Sequence, residues 1–334
     1  MGNEKQYLDF FSAVLIILLY RLNSKKYIKM KIPFLSILLL FFVQIGIGQT
    51  KTNLKQEKKT TFLTSDGVPL FLKVSGKGEI CIFVHGGPGA WSKSFEEFGG
   101  NVLEDKLKMC YFDQRGCGRS GSPADNNYGM DRMIDDIEEI RASLKASKVF
   151  VMGHSFGGIL ATKYAEKYPQ HVKGLILLNS TLDINDSLLN QIAFMGKTLG
   201  EDFPVKDKNS ILNTFFEAKT KIKKADLDYK MLSDNRTNVE KLDSIDNSEK
   251  RNSAFAQHAL SGPLYFSDFT KETASIKVPT LVISGTKDNN IGPDHYKLFK
   301  FPNQEVKIIN GGHILYYEQN KEFKNAVEGF VLKK

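Results

Sequence analysis

The chain is poor in cysteine: Cys81, Cys110 and Cys117 are the three among 334 residues, an odd set without metal-ligand spacing. That scarcity excludes a zinc ribbon and a small disulfide-stapled scaffold. The three read as small core or loop hydrophobes. Cys81 and Cys110 fall in neighbouring expected strands, so a bridge between them is allowed in an oxidising compartment. No apolar run reaches the roughly 20 residues of a comfortable membrane span. Internal repeats and low-complexity tracts are also missing, which excludes a solenoid or a fibrous chain. Charge of one sign is lacking where it would matter. The net charge is +8, but ten Lys and Arg stand against three acids before Thr60, so the rest carries about +1. A near-neutral body has no electrostatic footprint for a polyanion, and nucleic acid is not an expected partner.

The basic head holds two apolar stretches, residues 10–20 and 32–47, separated by Arg21, Lys25, Lys26, Lys29 and Lys31. Read from Met30, the second has the layout of a secretory signal peptide: Lys31, an apolar stretch over 34–43, then Gly46 and Gly48 before Gln49. Residues 1–48 are expected to be an export signal, with 1–29 as an upstream extension. The alternative is a retained N-terminal anchor tethering the chain to a membrane. Residues 49–59 are polar and Lys-rich and read as a solvated linker.

From Thr60 onward, short apolar runs alternate with longer amphipathic ones. This is the pattern of a mostly parallel sheet covered by helices on both faces. Strands are expected at 60–64, 70–75, 80–84, 108–113, 149–152, 172–178, 280–284 and 305–309. Helices are expected at 131–144, 156–168, stopped by Pro169, and 316–332. With 41% hydrophobic residues the chain can bury one large α/β core. Residues 60–182 and 271–334 would form it. Between strands six and seven, residues 183–270 turn helical, Lys-rich and Asn-rich. A structureless loop of that length is implausible in a compact domain, so a helical cap is expected.

Chemistry enters after the fifth strand, where Gly153-His154-Ser155-Phe156-Gly157-Gly158 matches the nucleophile elbow of the α/β-hydrolase fold. A strand reversing sharply into a helix holds its apex side chain out of the sheet, and flanking glycines let the two elements approach. A serine hydroxyl needs a base, itself oriented by a carboxylate. Chain order in this fold is serine, acid, histidine. Of six histidines, only His313 follows the last strand, in a Gly311-Gly312-His313 turn. Asp288, in the short loop after strand seven, is the candidate acid, and Asp294 is the runner-up. Backbone donors for an oxyanion would come from the Gly-rich turn after strand three; the amides of Gly87 and Phe156 are the candidates. No metal-ligand cluster or phosphate-cradling loop accompanies this site, so no cofactor is expected. An epoxide hydrolase or dehalogenase would carry aspartate at the elbow.

His85-Gly86-Gly87-Pro88-Gly89, Asp113-Gln114-Arg115-Gly116-Cys117-Gly118-Arg119-Ser120, the serine elbow, Asp288 and His313 together resemble the prolyl iminopeptidase family of α/β hydrolases. The similarity runs from Thr60 to the C-terminus. Asp113 and Arg115 are expected to hold their loop by buried charge-assisted hydrogen bonds. The resemblance implies an eight-stranded hydrolase core with a cap, and removal of an N-terminal residue, often proline, from short peptides. It also implies acidic cap residues that grip the substrate's ammonium. Here the family's Gly-Pro-x-Glu type stretch reads Gly262-Pro263-Leu264-Tyr265, and Tyr265 supplies no charge. Glu217 or Glu201 would then serve, or the substrate has no free amine. The pocket walls expected from the cap are Phe194, Phe215, Phe216, Phe255 and Tyr265. The competing readings are a carboxylesterase or small-amide hydrolase, and a non-catalytic binding protein on the same scaffold.

Overall fold

A computed structural model describes residues 58–333. The leader expected over 1–48 lies outside the described residues, as does the linker except for Lys58 and Lys59, which begin the first strand. Eight strands form one sheet: β1 (Lys58–Leu63), β2 (Pro69–Gly76), β3 (Glu79–Val84), β4 (Leu107–Phe112), β5 (Val149–His154), β6 (Val172–Leu178), β7 (Thr280–Gly285) and β8 (Gln304–Ile309). Their order is β1-β2-β4-β3-β5-β6-β7-β8. β1 and β2 pair antiparallel, as do β2 and β4, and every later pairing is parallel. The sheet matches expectation because β3 to β7 are near-continuous apolar runs, as strands buried on both faces must be.

Strand alternation divides the core in two. Ile82, Val84, Cys110, Val151, Leu175 and Val282 face one side, under α2 (Met130–Ser143) and α3 (Gly157–Lys167). Cys81, Phe83, Met109, Met152, Ile176 and Ile283 face the other, with Phe95 of the short α1 (Ser92–Glu97). Cys81 and Cys110 therefore lie on opposite faces, although their strands are neighbours. All three cysteines are free and buried, so the bridge allowed by sequence does not form.

Four helices fill the stretch between β6 and β7: α4 (Ile184–Leu199), α5 (Ile211–Lys224), α6 (Arg236–Asp246) and α7 (Ala254–Ser261). α4 is capped by Asp183, whose carboxylate accepts from the Asn185 and Asp186 amides, and ends at Gly200 in the left-handed region. Leu188, Ile192, Met195, Phe215, Ala218 and Ile222 give α4 and α5 a small core of their own.

The expected helix over 316–332 is broken into α8 (Leu315–Glu318) and α9 (Asn320–Val331), with Gln319 non-helical between them. Side chains at the break reach the preceding turn: Glu318 accepts from the Gly312 amide at 2.5 Å, and Gln319 Nε2 donates to the Asn310 carbonyl at 3.0 Å. Both bonds fasten the turn that carries His313.

Candidate active site

Ser155 is the apex between β5 and α3, with φ of +55°. A non-glycine residue there is strained, and such strain persists only where the surroundings impose it. The surroundings are tight. A Cβ on Gly157 would lie 2.1 Å from the Val84 carbonyl oxygen, and one on Gly86 would lie 2.8 Å from Ser155 Cβ. Only glycines let the β3 turn and the elbow meet this closely.

Asp288 and His313 come from the loops after β7 and β8. His313 Nδ1 lies 3.1 Å from both Asp288 carboxylate oxygens. A carboxylate accepts, so Nδ1 carries the proton and Nε2 presents its lone pair. Asp288 Oδ1 also accepts from the Asn290 and Ile291 amides, each at 3.0 Å, which fixes the carboxylate. Ser155, Asp288 and His313 are all buried, and Ser155 and His313 line one cavity. Asp294 is turned outward, 74% exposed and paired with Lys297. The sheet edge thus joins Asp288 to His313 by hydrogen bonds and sets Ser155 in the same cavity as His313, with no hydrogen bond between the serine hydroxyl and the ring among the described residues.

One residue that sequence reasoning missed ties their loops together. Asn179, directly after β6, has φ of +41° and is buried. Its Oδ1 accepts from the Gly285 amide at 2.8 Å, its Nδ2 donates to the Gly312 and His313 carbonyls at 2.9 and 3.1 Å, and its own carbonyl accepts from Ser155 N at 3.1 Å. Asn179 therefore holds all three segments, the serine's through its main-chain carbonyl and those of the acid and histidine through its side-chain amide. The signal for it was a polar residue ending an otherwise apolar strand run.

Gly87 and Phe156 both border Ser155, and among the described residues neither amide nitrogen is engaged in a hydrogen bond. His85 anchors the Gly-rich turn: its Nε2 accepts from the Gln114 amide at 3.0 Å, and the Gln114 side chain donates back to the His85 carbonyl at 2.7 Å. That geometry needs a neutral ring. Burial lowers the pKa of His85, and burial together with the neighbouring His313 pushes His154 down to about 3. Above the unfolded value near 6.5 both states are neutral; below it only the unfolded chain takes up these protons, so stability falls with pH. The His154 ring should remove about 2 kcal/mol between pH 8 and pH 5, and His85 adds to the loss in the same direction. Urea unfolding at the two pH values measures the loss, and His154→Leu should reduce it by roughly one ring's share. An unaltered pH slope in that variant would mean that His154 titrates normally when folded.

Two cavities meet at Gly87, Ser155 and Asn290. The smaller, about 180 Å³, is walled by Trp91, Phe95, Leu242 and Tyr316 and includes Asp246 at the end of α6. Asp246 Oδ1 accepts from Trp91 Nε1 at 2.8 Å and Ser94 Oγ at 2.5 Å, while Oδ2 is 3.6 Å from Arg251. The larger, about 380 Å³, is mainly apolar, with Ile184, Leu188, Phe215 and Leu260 in its wall.

The cap residues chosen from sequence are placed differently. α5 turns Leu212, Phe215, Phe216 and Lys219 to the larger cavity, at the i, i+3, i+4, i+7 spacing of one helical face. Glu217 lies off that face, exposed, 3.5 Å from Lys221, which also pairs with Glu201 at 2.7 Å. Neither glutamate lines a cavity beside Ser155. Tyr265 is a buried support rather than a wall: its hydroxyl donates to the Tyr128 carbonyl at 2.6 Å, and its ring packs on Phe156 and Phe255 beneath the elbow. Phe255 shares that buried position, and Phe194 packs into the core of α4 and α5, so of the expected aromatic walls only Phe215 and Phe216 line the cavity. Among the described residues no group of three or more His, Cys, Asp or Glu is arranged to hold a metal ion.

The chain shares its fold with known proteins. The proline iminopeptidase of Saccharolobus solfataricus is 26% identical over 312 residues, covering 79% of this chain and 89% of that protein. The proline iminopeptidase of Flavobacterium johnsoniae is 26% identical over 272 residues, covering 75% and 88%. Among solved structures, the proline iminopeptidase-related protein of Thermus thermophilus superposes with a TM-score of 0.72 at 20% identity, covering 83% of this chain and 98% of that one. An esterase from Exiguobacterium antarcticum superposes at 0.62 with 20% identity, covering 82% and 99%. The family described as alpha/beta hydrolase fold matches residues 81–319, and the chain belongs to that family of hydrolases.

Proposed function

We propose that the chain is a serine hydrolase working through an acyl-enzyme, and that it releases N-terminal residues from short peptides. The observation that carries the first part is the strained Ser155 apex opening into the same cavity as a histidine whose Nδ1 is committed to a buried carboxylate. In this reading His313 Nε2 takes the proton as Ser155 Oγ attacks the carbonyl carbon. Asp288 stabilises the imidazolium, and the Gly87 and Phe156 amides receive the oxyanion. The imidazolium then protonates the leaving amine as the C–N bond breaks. Water, deprotonated by the same ring, cleaves the acyl-enzyme. Contacts of this kind commonly tighten only with substrate in place.

Asp246 supports the aminopeptidase reading. It is a carboxylate in the small cavity beside Ser155, where the ammonium of a bound N-terminal residue would find a charge-assisted partner. It takes the part that Glu217 and Glu201 do not. The second reading, an esterase for acyl groups without an amine, draws on the partners Asp246 already has in Trp91, Ser94 and Arg251. Prolyl and alanyl arylamides assayed beside short acyl esters decide between them. The aminopeptidase reading expects arylamide turnover, with Asp246→Asn raising KM for the arylamides about tenfold relative to the esters. Ester turnover with no arylamide turnover would replace it by the second reading.

A further inference from the structure

The cleft on either side of Ser155 carries opposite charges at its two ends. Asp246 stands in the small cavity, and in the large one Lys219 is the single charged lining residue. Lys219 belongs to the cavity face of α5, one turn beyond Phe215 and Phe216, and its ammonium lies 5.3 Å from the centre of the Phe215 ring. Its situation differs from that of the other lysines nearby. Lys221 is engaged by Glu201 and Glu217, whereas among the described residues Lys219 forms no ion pair. Asp228 is the acid whose field reaches it. The side chain is exposed to solvent, yet the protein around it removes enough water that its pKa is lowered. A cation without an ion-pair partner beside apolar walls gains from an anionic ligand group.

We infer that the large cavity receives the leaving part of a short peptide, with Lys219 pairing its free C-terminal carboxylate. This rests on the aminopeptidase reading and adds a substrate class to it: di- and tripeptides with both ends free, rather than the exposed ends of long chains. The apolar walls suit an uncharged side chain on the leaving residue, since burying a second charge there would lack a partner.

The inference is tested on matched pairs, prolyl-alanine against prolyl-alaninamide and the corresponding prolyl tripeptides. The parent enzyme should favour the free acid over the amide by about tenfold in kcat/KM in at least one pair. Lys219→Met should bring that ratio near one through KM, and Lys219→Arg should keep most of it. Because each variant is read as a ratio between two substrates, partial misfolding cancels. An acid-to-amide ratio equal in the parent and in Lys219→Met overturns the inference. Turnover of prolyl arylamides separates the two levels: its presence with no acid preference removes only the role of Lys219, and its absence removes the aminopeptidase reading itself.

Discussion

Ser155→Ala should lower turnover of every substrate by about 10⁴-fold or more while leaving the fold in place. The reason lies in the geometry as well as the chemistry. Alanine keeps the Cβ that packs 2.8 Å from the position a Gly86 side chain would occupy, so only the hydroxyl is lost. Ser155→Gly sharpens the test. The native φ of +55° strains any residue with a Cβ, and glycine adopts it freely. That variant should be equally inactive but more stable, by about 1 kcal/mol, in urea unfolding. Loss of activity with a gain in stability is the signature of a residue held for chemistry. A fluorophosphonate probe should label the parent and neither variant. If Ser155→Ala retained most of the activity, the nucleophile would have to be sought elsewhere.

The sequence carries its information unevenly, and the reasons are local. β3, β5, β6 and β7 were legible because strands covered on both faces must be apolar throughout. The placement of Ser155, Asp288 and His313 just after β5, β7 and β8 was legible because each follows an apolar strand run in a glycine-containing loop. The ends of α8 and α9 were not legible, since Gln319 departs from helical φ and ψ at a position that apolar periodicity does not mark. The choice of Glu217 failed on helical phase. It stands two residues before Lys219, about 200° around the helix, so the two cannot face one cavity. Counting from Leu212, Phe215 and Phe216 would have pointed to Lys219 instead. Asp246 had no comparable signal, because what distinguishes it is contact with Trp91 and Ser94, more than 150 residues earlier in the chain.

Arg115→Met should cost about 3–5 kcal/mol of stability, although the residue lines neither cavity. Arg115 is fully buried and its five N–H donors are all engaged. Nε and Nη2 donate to the Asp136 carboxylate at 2.6 and 2.7 Å, Nη1 and Nη2 to Asp66 at 2.8 and 3.0 Å, and Nη1 to the Asn127 carbonyl at 3.2 Å. Removing the guanidinium leaves Asp136, itself buried, with Arg132 at 3.0 Å as its remaining cation. A buried carboxylate left with one of its two cations, and without the bidentate bonds of the other, is the main source of the loss. The double replacement Arg115→Met with Asp136→Leu should therefore recover at least half of it, because a well-packed apolar pair needs no such compensation. Urea midpoints of parent, single and double variants measure this. A loss below about 1 kcal/mol in the single variant would show that the network is energetically idle. The loop also matters to the cleft, since Gln114, one residue before Arg115, clasps His85 at the head of the Gly87 turn. At urea concentrations where Arg115→Met is still folded, its activity should fall ahead of its global unfolding, whereas in the parent the two should fall together.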